Sequence, residues 1–149
     1  MWVLAGIGLL AFVTVRPAVA DKLNWKTDLD LPKALAQAKA EHKLVLLDFT
    51  GSDWCPPCQL LEAKTFAKPA FAEYAQTNLV LVKVDFPNYN TQPEALKTAN
   101  DALAKKLEVE GFPTLVALKP DDSVAWRTVG YLEGGPTALI QQLQGVQKL

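Results

Sequence analysis

Three short runs of apolar residues stand out in the central part of the chain. They are rich in Val and Leu and occupy residues 44–49 (LVLLDF), 79–86 (LVLVKVDF) and 114–118 (TLVAL). Continuous apolar runs of this length are typical of strands that are covered on both faces of a sheet. We therefore predict three central strands at these positions.

Between these runs, apolar residues recur at the spacing of a helix. A first helix is predicted after Asp30, which can cap its N-terminus, with apolar residues at Leu31, Leu35 and Ala38. Another helix carries an apolar stripe at Leu96, Ala99, Leu103 and Leu107.

The C-terminal third predicts a hairpin and a last helix. Pro120-Asp121-Asp122 is typical of a tight turn into a fourth strand at residues 124–129. Gly134-Gly135-Pro136 precedes a helix whose inward face carries Leu139, Ile140, Leu143 and Val146. With a helix at about residues 57–66, the order is helix, strand, helix, strand, helix, strand, strand, helix. Helices between strands imply parallel crossovers, and the hairpin adds antiparallel pairs. We predict an α/β fold with a mixed central sheet and helices on both faces.

Length and charge narrow the classes of function. The 149 residues are 50% hydrophobic, which suits one domain with a proper core. The 15 Lys and Arg nearly balance 16 Asp and Glu, so no basic surface for nucleic acid or an anionic membrane is expected. We expect a monomer that binds no nucleic acid.

The first twenty residues resemble a secretory signal peptide. The chain is uncharged from Trp2 to Val15, and Arg16-Pro17 and then Ala18-Val19-Ala20 follow, a pattern that a signal peptidase cuts before Asp21. We predict a signal peptide at residues 1–20, a domain at residues 21–149, and export to the periplasm or the medium. The alternative is an uncleaved membrane tether, which would bring Arg16 into the bilayer.

The chain has two cysteines, and both lie in the segment GSDWCPPCQ at residues 51–59. The helix predicted from about Pro57 through Phe66 begins between them, because proline is favoured in a first helical turn. Cys55 then lies at a helix N-terminus, where the helix dipole favours the reactive thiolate. Cys58 lies one turn further on, can close a disulfide with Cys55, and is expected to be more shielded. This geometry predicts that Cys55 attacks and Cys58 resolves.

Other uses of two cysteines fit less well. A structural zinc site needs four ligands, and only His42 and carboxylates are left to complete one. Attachment of a c-type haem requires a histidine after the second cysteine, where Gln59 stands. A structural disulfide across so short a loop stabilises a fold only modestly. We expect redox chemistry with no metal and no cofactor other than the Cys55–Cys58 disulfide.

Two motifs resemble the signatures of the thioredoxin superfamily. The segment VLLDFTGSDWCPPC resembles its active-site segment, and GFPT at residues 111–114 resembles its second signature. The chain is most similar to exported thioredoxin-like proteins related to the C-terminal periplasmic domain of the bacterial membrane disulfide reductase, which share the DWC opening and a following Thr-Phe, here Thr65-Phe66. The resemblance implies a thioredoxin fold and thiol–disulfide exchange.

The resemblance also implies roles for individual residues. Cys55 becomes the nucleophile and Cys58 the resolving thiol. Pro113 becomes a cis proline facing the disulfide, and Phe112 presents its backbone to a bound substrate peptide. Trp54 packs beside the site and shapes its surface, unless it is simply a half-buried aromatic residue.

Asp48 is an acid in an otherwise apolar strand. A carboxylate buried without a partner is costly and has a raised pKa, and the family uses such an acid to move a proton to and from the resolving thiol. The stretch from Asp48 to Cys55 is one residue longer than the common thioredoxin pattern. Two interpretations of Asp48 therefore remain open: a proton-transfer acid, and a solvated acid near the strand end. Asp53, in the loop, is expected at the surface.

The residues between the cysteines bear on the direction of electron flow. Pro56 has no N–H to donate to the Cys55 sulfur, and the segment with Pro56 and Pro57 resembles that of tryparedoxins and nucleoredoxins, which are reductants. We predict a protein-disulfide reductase that a membrane donor recharges. The alternatives are a disulfide oxidase or isomerase, and a non-catalytic binding module on a thioredoxin scaffold. The long connection at residues 87–100 either selects partners or is a solvated loop that leads into a helix.

Overall fold

A four-stranded sheet forms the centre of the protein, which is described here from a computed structural model covering residues 23–147. The expected signal peptide at residues 1–20 lies outside the described residues. The strands are β1 (Leu44–Thr50), β2 (Leu79–Asp85), β3 (Thr114–Leu118) and β4 (Val124–Val129). The helices are α1 (Leu31–Glu41), α2 (Pro56–Leu61), α3 (Pro69–Asn78), α4 (Glu94–Lys106) and α5 (Gly135–Gln147), and a π-helical turn at Glu62–Phe66 extends α2. No helix within residues 23–147 combines the length and the apolar character needed to cross a membrane.

The sheet is mixed, as predicted, with the strand order β2-β1-β3-β4. β1 pairs with β2 in parallel and with β3 antiparallel, and β3 and β4 form the expected antiparallel pair. Two details of the prediction are wrong. β2 is an outer strand rather than a central one, and the connection through α4 does not join parallel strands.

An apolar run reports burial and not the identity or direction of the neighbouring strand, which explains both errors. β2 is buried because helices cover its faces and a short N-terminal segment covers its outer side. There the N–H of Lys26 donates to the carbonyl of Leu81 at 2.9 Å, and the N–H of Lys83 donates to the carbonyl of Lys26 at 2.8 Å.

Two hydrophobic clusters lie on opposite faces of the sheet, so the prediction of helices on both faces is confirmed. Alternate residues of β1 point to opposite sides. Val45, Leu47 and Phe49 pack in the cluster that contains residues of α1 and α4. Leu44 and Leu46 pack in the cluster that contains residues of α2, α3 and α5. Asp48, in step with Leu44 and Leu46, therefore lies on the α2 side of the sheet.

The segment between β1 and β2 contains a helix that the sequence pattern did not predict. α2 begins at Pro56, one residue before the expected start, and the π-helical turn ends at Phe66. α3 then begins at Pro69, whose missing N–H costs nothing in a first turn. Its fully buried face consists of only Phe71 and Ala75, and so short a stripe gives a weak periodic signal.

Candidate active site

Cys55 and Cys58 form a disulfide at the start of α2, with their Cα atoms 5.3 Å apart. Cys55 is the N-cap residue in an extended conformation, and Pro56 and Pro57 occupy the first two helical positions. The N–H of Cys55 donates to the carbonyl of Gly51 at 2.9 Å. The predicted position of Cys55 at a helix N-terminus is confirmed.

The two cysteines do not differ in exposure, contrary to our expectation that Cys58 is the more shielded. Cys55 is 3% exposed and Cys58 is 5% exposed. The prolines between them are exposed instead. Accessibility in the oxidised form therefore does not identify the attacking thiol, and the position at the helix start is the physical difference between the two.

The bond between Phe112 and Pro113 is cis, as the resemblance implies. Pro113 is buried immediately before β3, and its carbonyl accepts a hydrogen bond from the N–H of Gly130 at 2.7 Å. The hydroxyl of Thr114 donates to the carbonyl of Gly111 at 2.7 Å. These contacts fix the GFPT loop to the end of β4 and to itself.

Trp54 joins the disulfide segment to the loop that contains the cis proline. Its indole N–H donates to the carbonyl of Phe86 at 2.7 Å, and its ring meets the ring of Phe112 edge to face at 5.9 Å. The rings of Phe112 and Phe86 are 5.0 Å apart. Trp54, Phe86 and Phe112 thus form an aromatic cluster beside the disulfide. Trp54 remains 37% exposed, so part of its ring is surface next to Cys55.

The turn between β1 and α2 is tied to the end of β2 by polar side chains. The N–H and hydroxyl of Ser52 donate to the two carboxylate oxygens of Asp85 at 2.9 and 2.5 Å. The carboxylate of Asp53 accepts hydrogen bonds from three successive backbone N–H groups, at Asn88, Tyr89 and Asn90.

Asp53 was expected at the surface, and its side chain has intermediate exposure. The prediction missed its role as an anchor for the loop after β2. Burial disfavours its ionised form, but the three backbone hydrogen bonds outweigh burial and lower the pKa of the Asp53 carboxyl below its ordinary value. The donors are more than thirty positions away in the chain, so no local pattern marks this contact.

Asp48 lies in the body of β1 and is only 3% exposed. Within residues 23–147, no group donates a hydrogen bond to its Oδ1. Burial raises the pKa of Asp48 to about 7, although the nearby positive charge of Lys83 opposes that rise. The interpretation of Asp48 as a solvated acid near the strand end is wrong, because the side chain is buried within β1.

Lys83 and Glu62 are two charged neighbours of Asp48 that the sequence reading missed. Lys83 lies opposite Asp48 in the β1–β2 register, and its ammonium is 3.1 Å from the Glu62 carboxylate. The ammonium also lies 5.1 Å from the centre of the Trp25 ring. A lysine inside the apolar run LVLVKVDF could have indicated a buried charged partner. Its position opposite Asp48 depends on the strand register, which the sequence does not show.

Among residues 23–147, no three side chains of His, Cys, Asp or Glu come together in a way that could hold a metal ion. The chemistry that this arrangement can perform is thiol–disulfide exchange. It provides a sulfur at a helix start, a second sulfur one turn away, and a buried acid on the same side of the sheet as that helix.

Comparison with known proteins agrees with the thioredoxin fold of this chain. The family model for a thioredoxin-like domain matches residues 31–147. The disulfide bond reductase DsbH of Chlamydia pneumoniae is 34% identical over 134 residues, which are 90% of this chain and 78% of that protein. The thiol:disulfide interchange protein DsbD 2 of Pseudomonas aeruginosa is 32% identical over 108 residues, which are 71% of this chain but only 17% of that protein.

Two solved structures extend the comparison. A DsbH oxidoreductase superposes with a TM-score of 0.81 at 32% identity, covering 97% of this chain and 96% of the other. The oxidised C-terminal domain of DsbD from Neisseria meningitidis superposes with a TM-score of 0.56 at 21% identity, covering 76% of this chain and 89% of the other. The second likeness bears on the fold alone.

Proposed function

The chain belongs to the thioredoxin-like family, and we propose that this thiol–disulfide oxidoreductase works as a reductase of protein disulfides outside the cytosol. The observation that carries the proposal is the placement of Cys55 at the N-cap of α2, one turn from Cys58. The reducing direction is supported by Pro56, which has no N–H to stabilise the Cys55 thiolate, and by the likeness to a protein named a disulfide bond reductase.

The reaction begins with both cysteines reduced. The thiolate of Cys55 attacks one sulfur of the substrate disulfide, the substrate S–S bond breaks, and the departing substrate thiolate takes up a proton. A mixed disulfide now links Cys55 to the substrate. The thiolate of Cys58 then attacks the Cys55 sulfur and releases the second substrate thiol. Two electrons have passed to the substrate, and the protein is left with its Cys55–Cys58 disulfide.

Asp48 is the proposed proton acceptor for Cys58 in the second step. Its burial on the α2 side of the sheet and its pKa of about 7 support this role, because such a carboxyl exchanges a proton readily near neutral pH. The ammonium of Lys83 stabilises the ionised form of Asp48. Glu62 pairs with Lys83 and thereby holds this ammonium next to β1.

The surface beside the disulfide is the proposed binding site for an extended substrate segment. The backbone of Phe112, ahead of the cis Pro113, offers hydrogen-bonding groups, and the exposed part of Trp54 offers an apolar contact. Pro56 and Pro57, which are exposed at the start of α2, complete this surface. The other proposed partner is a membrane electron donor, because a reductase in an oxidising compartment has to be recharged. Export would follow from residues 1–20, and we propose that the protein acts as a monomer.

A trapping experiment tests the reaction. The Cys58→Ala variant, expressed in the native envelope, should accumulate mixed disulfides between Cys55 and its substrates, because the resolving thiol is missing. Non-reducing electrophoresis and mass spectrometry would identify them. Cys55→Ala is the matched control and should trap far less, since Cys58 is not at the helix start. Equal trapping by the two variants would contradict the assigned roles.

The reduction potential tests the direction. A potential near about −270 mV is expected for a reductase, whereas about −120 mV is typical of a strong oxidant. Equilibration with glutathione or dithiothreitol, followed by alkylation of the free thiols and mass spectrometry, measures it. A potential near the oxidising value would contradict the reductase and favour a disulfide oxidase. Failure to cycle at all would leave a binding module.

A further inference from the structure

The loop after β2 is held rigidly against the segment that carries the nucleophile. Oδ1 of Asp53 accepts the N–H of Asn88 at 2.9 Å, and Oδ2 accepts the N–H groups of Tyr89 and Asn90 at 2.9 and 2.8 Å. Because all three donors are backbone groups, the carboxylate fixes the path of the chain and leaves the side chains of the loop free. Hydrogen bonds to an ionised acceptor are about twice as strong as neutral ones.

The same loop is also held at both ends. Its first residue, Phe86, accepts the indole N–H of Trp54 at 2.7 Å. At its last residue, the side-chain amide of Gln92 donates to the carbonyl of Asp85, just before the loop, at 3.2 Å. The buried Asn100 of α4 donates to the same carbonyl at 3.0 Å. The backbone of the loop at residues 86–92 is therefore fixed at its start, tip and end.

Tyr89 projects from the tip of this fixed loop into solvent. It is 81% exposed, and within residues 23–147 no other large apolar side chain reaches this exposure. An aromatic ring on a rigid backbone loses little conformational entropy when it binds, and Tyr is enriched in protein interfaces for this reason. Nothing in the packing of the fold accounts for a ring at this position.

The position of the loop identifies the kind of molecule that reaches it. Asp53 precedes Cys55 by two residues, and Trp54 between them touches both Phe86 and Phe112. The tip of the loop that carries Tyr89 is thus hydrogen-bonded to a residue two positions before Cys55. An extended polypeptide covers at most about 3.3–3.6 Å per residue, so the chain that flanks a substrate cysteine on Cys55 extends over the surface around the disulfide. A small disulfide with no chain attached does not.

From this geometry we propose that Tyr89 is a specificity-determining residue that contacts the polypeptide flanking the substrate cysteine, and that Asp53 is the positioning residue that presents it. The inference rests on the proposed reductase function and adds a second contact region to the surface at Trp54 and Phe112. The ring binds apolar or aromatic side chains of the substrate, and the exposed amides of Asn88 and Asn90 lie on either side of Tyr89 in the chain.

The test compares a polypeptide disulfide with a small one. The pre-reduced protein is mixed with excess insulin or with bis(2-hydroxyethyl) disulfide, and the loss of its free thiols gives a second-order rate constant for each. We expect Tyr89→Ala to lower the ratio of the insulin constant to the small-disulfide constant at least threefold. Tyr89→Phe, which keeps the ring, should restore most of the ratio.

Asp53 is tested through its dependence on Tyr89. Asp53→Ala should lower the same ratio, and the double variant should lose no more than Tyr89→Ala alone, because both changes remove one contact. Val124→Ala is the matched control, since Val124 is 50% exposed and lies at the end of β4 that pairs with Leu118. Its ratio should equal that of the wild type.

An unchanged ratio in Tyr89→Ala, or an equal fall in Val124→Ala, would overturn the inference. Losses that add up in the double variant would remove the positioning role of Asp53. A wild-type protein that reduces neither disulfide would instead overturn the proposed function itself. If Asp53→Ala does not fold, the Tyr89 variants still decide the specificity role.

Discussion

Asp48 and Asp53 are the same residue type in one short segment, and their surroundings shift their acidity in opposite directions. Asp48 is buried in β1, and one of its carboxylate oxygens has no hydrogen-bond partner within residues 23–147. Burial raises the pKa of its carboxyl to about 7. Asp53 accepts three backbone N–H groups, which lower its pKa. The first is suited to exchange a proton, and the second is suited to remain a fixed anion.

The stability of Asp48→Asn should depend on pH in a defined direction. The folded-state pKa of about 7 lies above the ordinary value of 3.8, so between these values the folded state retains a proton that the unfolded state has released. Ionisable Asp48 therefore destabilises the fold increasingly as pH rises toward 7. Relative to wild type, Asp48→Asn should gain on the order of 3 kcal/mol between pH 4.5 and pH 8. Denaturant unfolding of the oxidised proteins measures this, and a pH-independent difference would contradict it.

The same substitution should slow the release of substrate. If Asp48 accepts the proton of Cys58 as proposed, the rate of the resolving step should fall roughly 10²-fold at pH 7, the lower end of the range for general acid–base catalysis. The deficit should narrow at higher pH, where solvent removes the proton. Rapid-quench kinetics of a preformed mixed disulfide gives the rate. Asp121→Asn, in the turn before β4, is the control and should behave as wild type.

At the scale of elements, the turn between β1 and α2 aligns the site. It carries Ser52 and Asp53, which tie it to the end of β2 and to the loop beyond. Gly51 lies directly beneath Trp54, and a Cβ there would overlap the indole ring. The turn therefore requires a residue with no side chain at its first position.

Replacing this glycine should disturb both stability and the aromatic cluster. Gly51→Ala should lower the free energy of unfolding by about 1–3 kcal/mol, as is usual for overpacking, and should displace Trp54 from its hydrogen bond with Phe86. Chemical denaturation would report the first effect. A change in the tryptophan emission of the folded protein, to which Trp54 contributes, would report the second. Gly145→Ala, in α5, is the matched control. Its Cβ would meet open space, so it should be neutral or stabilising by up to about 1 kcal/mol.

At the scale of the whole molecule, one sheet separates two hydrophobic clusters, and the site forms where elements from both sides meet. Cys58 is a buried residue of α2, and Asp48 lies on the same face of β1 as Leu44 and Leu46, which pack in the α2-side cluster. Phe86 and Phe112 pack against the cluster of α1 and α4. The disulfide lies at this junction but closes only a very short loop. Most of the stability must then come from the two clusters, and the redox state should change it only modestly.

Reduction should therefore destabilise the protein without unfolding it. The loop-entropy relation gives about 2 kcal/mol for so short a closed loop. Unfolding in urea with and without dithiothreitol should show this difference for the wild type. Cys58→Ala has no disulfide to lose, so its midpoint should not respond to dithiothreitol. A reduced protein that is as stable as the oxidised one would contradict the estimate.

The sequence by itself determined the strands and most of the helices, the closeness of Cys55 and Cys58, and the helix start at Cys55. These follow from periodicity and from Pro56 and Pro57, which act over a few residues. The tertiary structure decided the outer position of β2 and the helix α3. It also decided that Lys83 lies opposite Asp48 in the strand register and that Asp53 accepts hydrogen bonds from the loop at residues 88–90. Each of these joins segments far apart in the chain, or depends on what covers a surface. Such contacts arise from three-dimensional packing and leave no local periodic pattern in the sequence.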